Sequence, residues 1–192
     1  MENKLPTRKR NRLNNFNYSS NKAYFITICT KDKKRLFWGE LQPDFVGEDS
    51  ILPPANVPLS PIGEIADEAI RSIPKHYPNI DLMQYVIMPN HIHMILMIPY
   101  NGEELIYDPK VDLAETGGRM LSSPTARGDI ITAVGQMKRH VSKKVGFPIW
   151  QKSFHDHIIR NREDYEKIAK YIYENPIRWQ YDCFYTADDE MR

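Results

Sequence analysis

Two kinds of hydrophobic pattern run along the chain. Apolar runs rich in strand-forming residues mark strands at Ala23–Thr30, about 80–88 and about 91–98. In the first, Tyr24, Ile26 and Ile28 share one face. Three stretches carry helical spacing instead. The first opens at Ser60-Pro61, a good N-cap followed by proline at the first helical position. It repeats Ile62, Ile65, Ala66, Ala69, Ile70 and Ile73, with Pro74 and Pro78 as its stop. The second covers about 129–145, with Ile130, Val134, Met137 and Val141 inward. The third opens at Asn161 and runs to about 175, stopped by Pro176, with Tyr165, Ile168, Ala169 and Ile172 as its apolar face. Ile149–Ile159 reads as mostly extended, and a short hairpin is predicted at Leu36–Trp38 with Ile51–Leu52. The order β, α, β, β, α, β, then a helix predicts an α+β domain of ferredoxin-like, split βαβ type. Its antiparallel sheet carries helices packed on one face, followed by a C-terminal helix.

A length of 192 residues suits one domain, placed at 22–180. Irregular excursions rich in Gly, Pro and acidic residues interrupt it near 39–58 and 99–126. A basic arm (1–21) precedes it and an acidic tail (181–192) follows. No apolar run approaches the ~20 residues of a membrane span, and Met1–Arg12 lacks a signal-peptide core. No membrane association is expected. Cys29 and Cys183 have no CxxC partners, so neither a zinc framework nor a disulfide scaffold is indicated, and a reducing cytoplasmic setting is the expectation.

The net charge of +1 conceals a strong asymmetry. Residues 1–35 hold ten Lys/Arg against two acids, and 127–180 hold eleven against six, whereas 36–126 hold four against thirteen. Such a split suits a chain with one face toward a polyanion, although a charge run is more often simply a solvated face. Candidate contacts for a polyanion such as a nucleic acid are Arg8, Lys9, Arg10 and Arg12 of the arm, Lys138 and Arg139 of the second helix, Trp150 and Arg160. Each has a plainer account, as an unstructured arm, the wet side of a helix or an edge-of-core ring.

The densest chemistry lies at His91-Ile-His93. Residues two apart on a strand share a face, so both imidazoles project together while Ile92 packs the other way. That is half of a divalent-metal site, or else a pair of hydrogen-bonded structural histidines. At ~100° per residue, Tyr171 falls at the edge of the last helix's apolar face, Asn175 stacks one turn later, and Tyr173 points away. Two imidazoles and an amide oxygen leave positions open on a hard ion such as Mg²⁺ or Mn²⁺, which phosphate oxygens can fill. A tyrosine hydroxyl beside them is a candidate nucleophile on phosphorus. The plainer account makes Tyr171 a half-buried helix tyrosine and Asn175 a polar helix end. His155 and His157 form another same-face pair and are assigned no role.

Three stretches together carry a family resemblance: Tyr85-Val-Ile-Met-Pro-Asn-His-Ile-His93, Trp150-Gln-Lys-Ser-Phe-His-Asp-His-Ile-Ile-Arg160 and Lys170-Tyr-Ile-Tyr-Glu-Asn-Pro176. From about Tyr24 to Trp179 the chain resembles the single-tyrosine HUH transposases, and among them the REP-associated tyrosine transposases. The resemblance implies a ferredoxin-like fold and cleavage of single-stranded, hairpin-associated DNA through a 5′-phosphotyrosine, with a divalent metal. By position it implies His91, His93 and Asn175 as ligands and Tyr171 as nucleophile. Asn at 175, where many insertion-sequence relatives carry Gln, fits the REP-associated branch. The implied partner is single-stranded or hairpin DNA, and the implied state is a monomer or a homodimer. A catalytically silent hairpin-binding protein and a metal-dependent phosphoesterase are the competing functions.

Overall fold

The computed structural model describes residues 22–39, 58–99 and 130–185. The basic arm with Arg8, Lys9, Arg10 and Arg12, most of both excursions and the end of the acidic tail lie outside the described residues.

Four strands form one sheet: β1 (Ala23–Cys29), β2 (Asp81–Ile87), β3 (His91–Met97) and β4 (His155–Ile159). Their order is β2-β3-β1-β4, with every neighbouring pair antiparallel. Since β1 and β2 both oppose β3, they run in the same direction with β3 between them, the interleaving expected of a split βαβ arrangement.

Strand alternation divides the core in two. Tyr24, Ile26 and Ile28 of β1 and Ile92, Met94 and Leu96 of β3 face α1 (Pro61–Arg71) and α3 (Ile130–Val145). Those helices contribute Ala66, Ala69 and Ile70, and Ala133, Val134, Met137 and Val141, to the cluster. On the opposite face α4 (Arg162–Glu174) lays Tyr165, Ile168, Ala169 and Ile172 against Ile95, Ile159, Phe25 and Val86. Two helices thus share one face while the C-terminal helix takes the other, and that second, smaller cluster is what sets α4 over the sheet.

Local chemistry accounts for the helix ends. Ser60 Oγ accepts the Gly63 N–H (3.0 Å) at the start of α1, and Asn161 Oδ1 accepts the Asp164 N–H (2.8 Å) at the start of α4. Gly63 is also a point of close approach, because a Cβ there would lie 2.1 Å from the Phe37 carbonyl oxygen. Pro74 does not simply end the first helix. That helix stops at Arg71, and Pro74 becomes the second residue of a short α2 (Ile73–His76), where its missing N–H costs no intrahelical bond. The predicted hairpin is replaced in part. Trp38 bridges to Leu59, while Ile51 and Leu52 lie outside the described residues. The extended stretch after Ile149 becomes regular strand only from His155, after a single bridge between Trp150 and Thr30.

Candidate metal and nucleophile site

β3 places His91 and His93 on the sheet face that α4 covers, while Ile92 enters the main core. The two rings lie 4.5 Å apart between centroids and are 0% and 2% exposed. Each is held from behind. Asn90 donates its amide N–H groups to the Lys33 and Phe184 carbonyls, so its Oδ1 faces His91 Nδ1 at 2.9 Å. An acceptor there requires Nδ1 to carry the proton, which leaves Nε2 as a bare lone pair. His93 Nδ1 lies 2.9 Å from Thr27 Oγ1, its cross-strand neighbour in the β1–β3 register, and Phe25 stacks on the ring. Burial drives both imidazole pKa values down to about 3, so both rings are neutral at ordinary pH, the state in which imidazole binds metals.

α4 brings the remaining groups. Tyr171 is at the helix edge, 40% exposed, with its hydroxyl 3.2 Å from His93 Nε2. Asn175 follows one turn later, 2% exposed and still helical in φ and ψ (−55°, −44°) although a proline follows it. Tyr173 points away and is 61% exposed. The expected convergence of His91, His93, Tyr171 and Asn175 is therefore present within one chain.

A carboxylate joins them. Asp182 Oδ2 accepts from the Tyr171 hydroxyl (3.2 Å) and from Asn175 Nδ2 (3.0 Å), and it lies 3.9 Å from His91 Nε2. Its Oδ1 accepts the Phe184 N–H at 2.7 Å. Burial first, then the negative charge of Asp182, raises the Tyr171 pKa well above that of a free tyrosine. A bare hydroxyl in this setting holds its proton.

The donor set fits a hard divalent cation. His91, His93 and Asp182 offer ligand atoms within 4.8 Å of one another. Among the described residues, His91 Nε2 and Asn175 Oδ1 are buried polar atoms without a hydrogen-bond partner. Leaving two such atoms dry and unpaired is costly, and a cation between them would satisfy both. The hydroxyl side has room, since a cavity of about 220 Å³ is lined by Tyr171, Glu174, Asn175, Arg178, Tyr181 and Asp182.

The expected DNA-contacting residues fall elsewhere. Lys138 Nζ donates to the Gln151 and Ser153 carbonyls (2.9 and 2.5 Å), and Trp150 Nε1 donates to the Lys138 carbonyl (2.9 Å). These two residues tie α3 to the connector before β4. Arg139 is exposed on α3, and Arg160 is exposed just before α4.

Three residues of the site escaped sequence reasoning. Asp182 lay in what read as an acidic tail and has no periodic relation to the helix that ends before it. Asn90 stood between the two strands expected at about 80–88 and 91–98 and was given no role. Thr27 alternates with the apolar face of β1, but its partner is visible only once β1 is known to pair with β3. Replacing Thr27 by valine keeps its shape and strands His93 Nδ1. The expected result is a loss of about 1–3 kcal/mol in denaturant-unfolding stability.

No protein-family model matches the chain. It is 29% identical over 177 residues to an uncharacterized protein of Haemophilus influenzae, covering 91% of each chain. It is 25% identical over 171 residues to a putative REP-associated tyrosine transposase of the same organism, covering 84% of this chain and 79% of that one. Among solved structures, a REP-associated tyrosine transposase bound to a REP hairpin superposes with a TM-score of 0.51 at 19% identity, covering 84% of this chain and 70% of the other. The resemblance to REP-associated tyrosine transposases drawn from the three motifs is thus borne out, as is the α+β fold with its four-stranded antiparallel sheet. Among the described residues no helix is long and apolar enough to cross a membrane.

Proposed function

We propose that the protein is a DNA strand transferase that cuts single-stranded DNA beside a hairpin through a covalent bond to Tyr171. The observation that carries this reading is the Tyr171 hydroxyl standing 3.2 Å from His93 Nε2 and 3.2 Å from Asp182, over two neutral, buried imidazoles. The similarity to a transposase whose solved structure holds a REP hairpin supports DNA as the partner.

His91 Nε2, His93 Nε2 and Asn175 Oδ1 would hold Mg²⁺ or Mn²⁺, with Asn90 and Thr27 fixing the two rings. When bound, that cation supplies polarisation of the scissile phosphate and offsets charge that builds on it. Tyr171 Oη attacks phosphorus as the bond from phosphorus to the 3′ oxygen breaks, giving a 5′-phosphotyrosine. The hydroxyl proton leaves along the hydrogen bond to Asp182, and the departing 3′ oxygen takes a proton from water. Because the phosphodiester is exchanged rather than hydrolysed, a second 3′-OH can reverse the step without ATP. Arg139 and Arg160, together with the basic arm, are proposed to contact phosphates of the strand, while Lys138 is already engaged by the Gln151 and Ser153 carbonyls.

Incubation with Mn²⁺ or Mg²⁺ and a single-stranded hairpin DNA should yield a protein–DNA adduct stable to denaturing electrophoresis. Tight, salt-sensitive hairpin binding without any adduct would instead identify a silent binding protein. Asp182→Asn separates the roles within the site. Adduct formation should slow by about 10²-fold, while Mn²⁺ affinity stays within about tenfold. A collapse of affinity comparable to that of a histidine variant would make Asp182 a ligand rather than a proton acceptor.

A further inference from the structure

Next to the histidine site, β4 departs from regular pairing. Thr27 pairs with His155, whereas Thr30 bridges to Trp150, and Gln151 N–H donates to the Cys29 carbonyl at 2.9 Å. Three residue steps on β1 thus face five on the other strand, so two residues are extra. They are accommodated where Ser153 takes a left-handed φ of 72°. A bulge of this kind lifts a strand from its partner and occurs often beside active sites. Here it opens a cavity of about 200 Å³ lined by Thr27, Cys29 and the stretch from Gln151 to His155.

The position of this cavity gives it a role. Thr27 lines it and also holds His93 Nδ1 at 2.9 Å. His93, Thr27 and His155 form one row across β3, β1 and β4, and paired residues share a face. Two strand spacings, about 10 Å, therefore separate the row's ends. A base carried by a nucleotide whose phosphate sits at Tyr171 and His93 can reach that far. The lining suits a base. Thr27 and Cys29 form a largely buried floor (6% and 5% exposed). Gln151 and His155 are exposed at the rim. A glutamine amide presents a donor and an acceptor together, matching the edge of a base, and an imidazole can stack on its face. Lys152 adds a cation for the adjoining phosphate.

We propose that this cavity receives one nucleobase flanking the cleaved phosphate, and that Gln151 and His155 set which base it accepts. The proposal rests on the strand-transfer reading, and its test separates the two. Tyr171→Phe protein, unable to cut, is used to select from a library of DNA hairpins with randomised single-stranded flanks, and the retained molecules are sequenced. One flank position should show a preference of about tenfold for one base. Gln151→Ala and His155→Ala, each in the Tyr171→Phe background and checked for an unchanged thermal midpoint, should flatten that position and leave the others. No single-position preference, or a preference that survives both substitutions, overturns the proposal. The strand-transfer reading is judged separately, by adduct formation with Tyr171 intact. A pocket-dependent preference without any adduct sinks that reading alone, and an adduct with no pocket-dependent preference sinks this one alone.

Discussion

Tyr171→Phe should abolish the covalent protein–DNA adduct, lowering its rate of formation by at least about 10³-fold, while hairpin binding and thermal stability stay near those of the parent. Only the hydroxyl is lost. It is the one oxygen on α4 that stands within hydrogen-bond distance of both His93 Nε2 and Asp182 among the described residues. The ring keeps its edge contact with Phe25, at 6.2 Å between centroids, so the helix has no reason to move. The substitution also removes the donor to Asp182, which retains the bonds from Asn175 Nδ2 and the Phe184 N–H. An adduct of undiminished yield in this variant would transfer the nucleophile elsewhere. Tyr173 could take it up only after α4 rotated, since its side chain is 61% exposed and faces away. Hydrolysis of small phosphoesters that survives Tyr171→Phe and fails in His91→Ala would favour a phosphoesterase using water.

The site was legible in the sequence wherever a single periodicity decided the geometry. Strand alternation alone places His91 and His93 together and sends Ile92 into the core. Helical angles alone put Tyr171 and Asn175 on one edge of α4 and Tyr173 away from it. Position along the chain could not say which face of the sheet α4 covers. That depends on the small cluster of Ile95, Ile159 and Ile172, in which Ile95 of β3 is far in sequence from the other two. The supporting residues were hidden for the same reason. Thr27 reaches His93 through strand register, and Asp182 returns to the site after the chain has left the helix and made a short 3₁₀ turn at Trp179–Tyr181. Charge patterning was the least specific signal. Lys138 belongs to a clear basic stretch, yet its ammonium group is spent on two carbonyls of its own chain.

Asp182 changes how the site is understood. Two neutral imidazoles and an amide carry no charge, and the carboxylate gives a cation site one negative charge. The same carboxylate holds Tyr171 and Asn175 in a fixed relation through a single oxygen, Oδ2. That charge acts on a cation from outside the proposed ligand set, whereas Oδ2 accepts the Tyr171 proton directly, which is why its substitution is expected to act on rate more than on affinity.

His91→Ala and His93→Ala should each cost at least about 100-fold in Mn²⁺ affinity, and they should do so in the absence of DNA. In the parent, Mn²⁺ at about 100 times its Kd should stabilise the fold by about 2.7 kcal/mol, read as a rise in thermal midpoint that both variants lose. A pair of purely structural histidines would give no rise at all. The same pair also dictates an acid response. Burial holds both folded-state pKa values near 3, below the usual 6.5, so the unfolded chain binds protons that the folded chain refuses. Stability contributed by the neutral rings is full above pH 6.5 and falls as pH drops from there toward 3. The slope is about 1.4 kcal/mol per pH unit for each ring, and so at most about 4 kcal/mol for the two between pH 6.5 and 5. Against a total of about 5–15 kcal/mol for a domain, that is enough to bring the metal-free protein close to unfolding in mild acid. Denaturant melts of the metal-free protein at pH 7, 6 and 5 measure the slope directly, and His93→Ala should halve it. A stability that is flat over that range would mean that both rings take up protons in the folded state, leaving no lone pairs for a cation in mild acid.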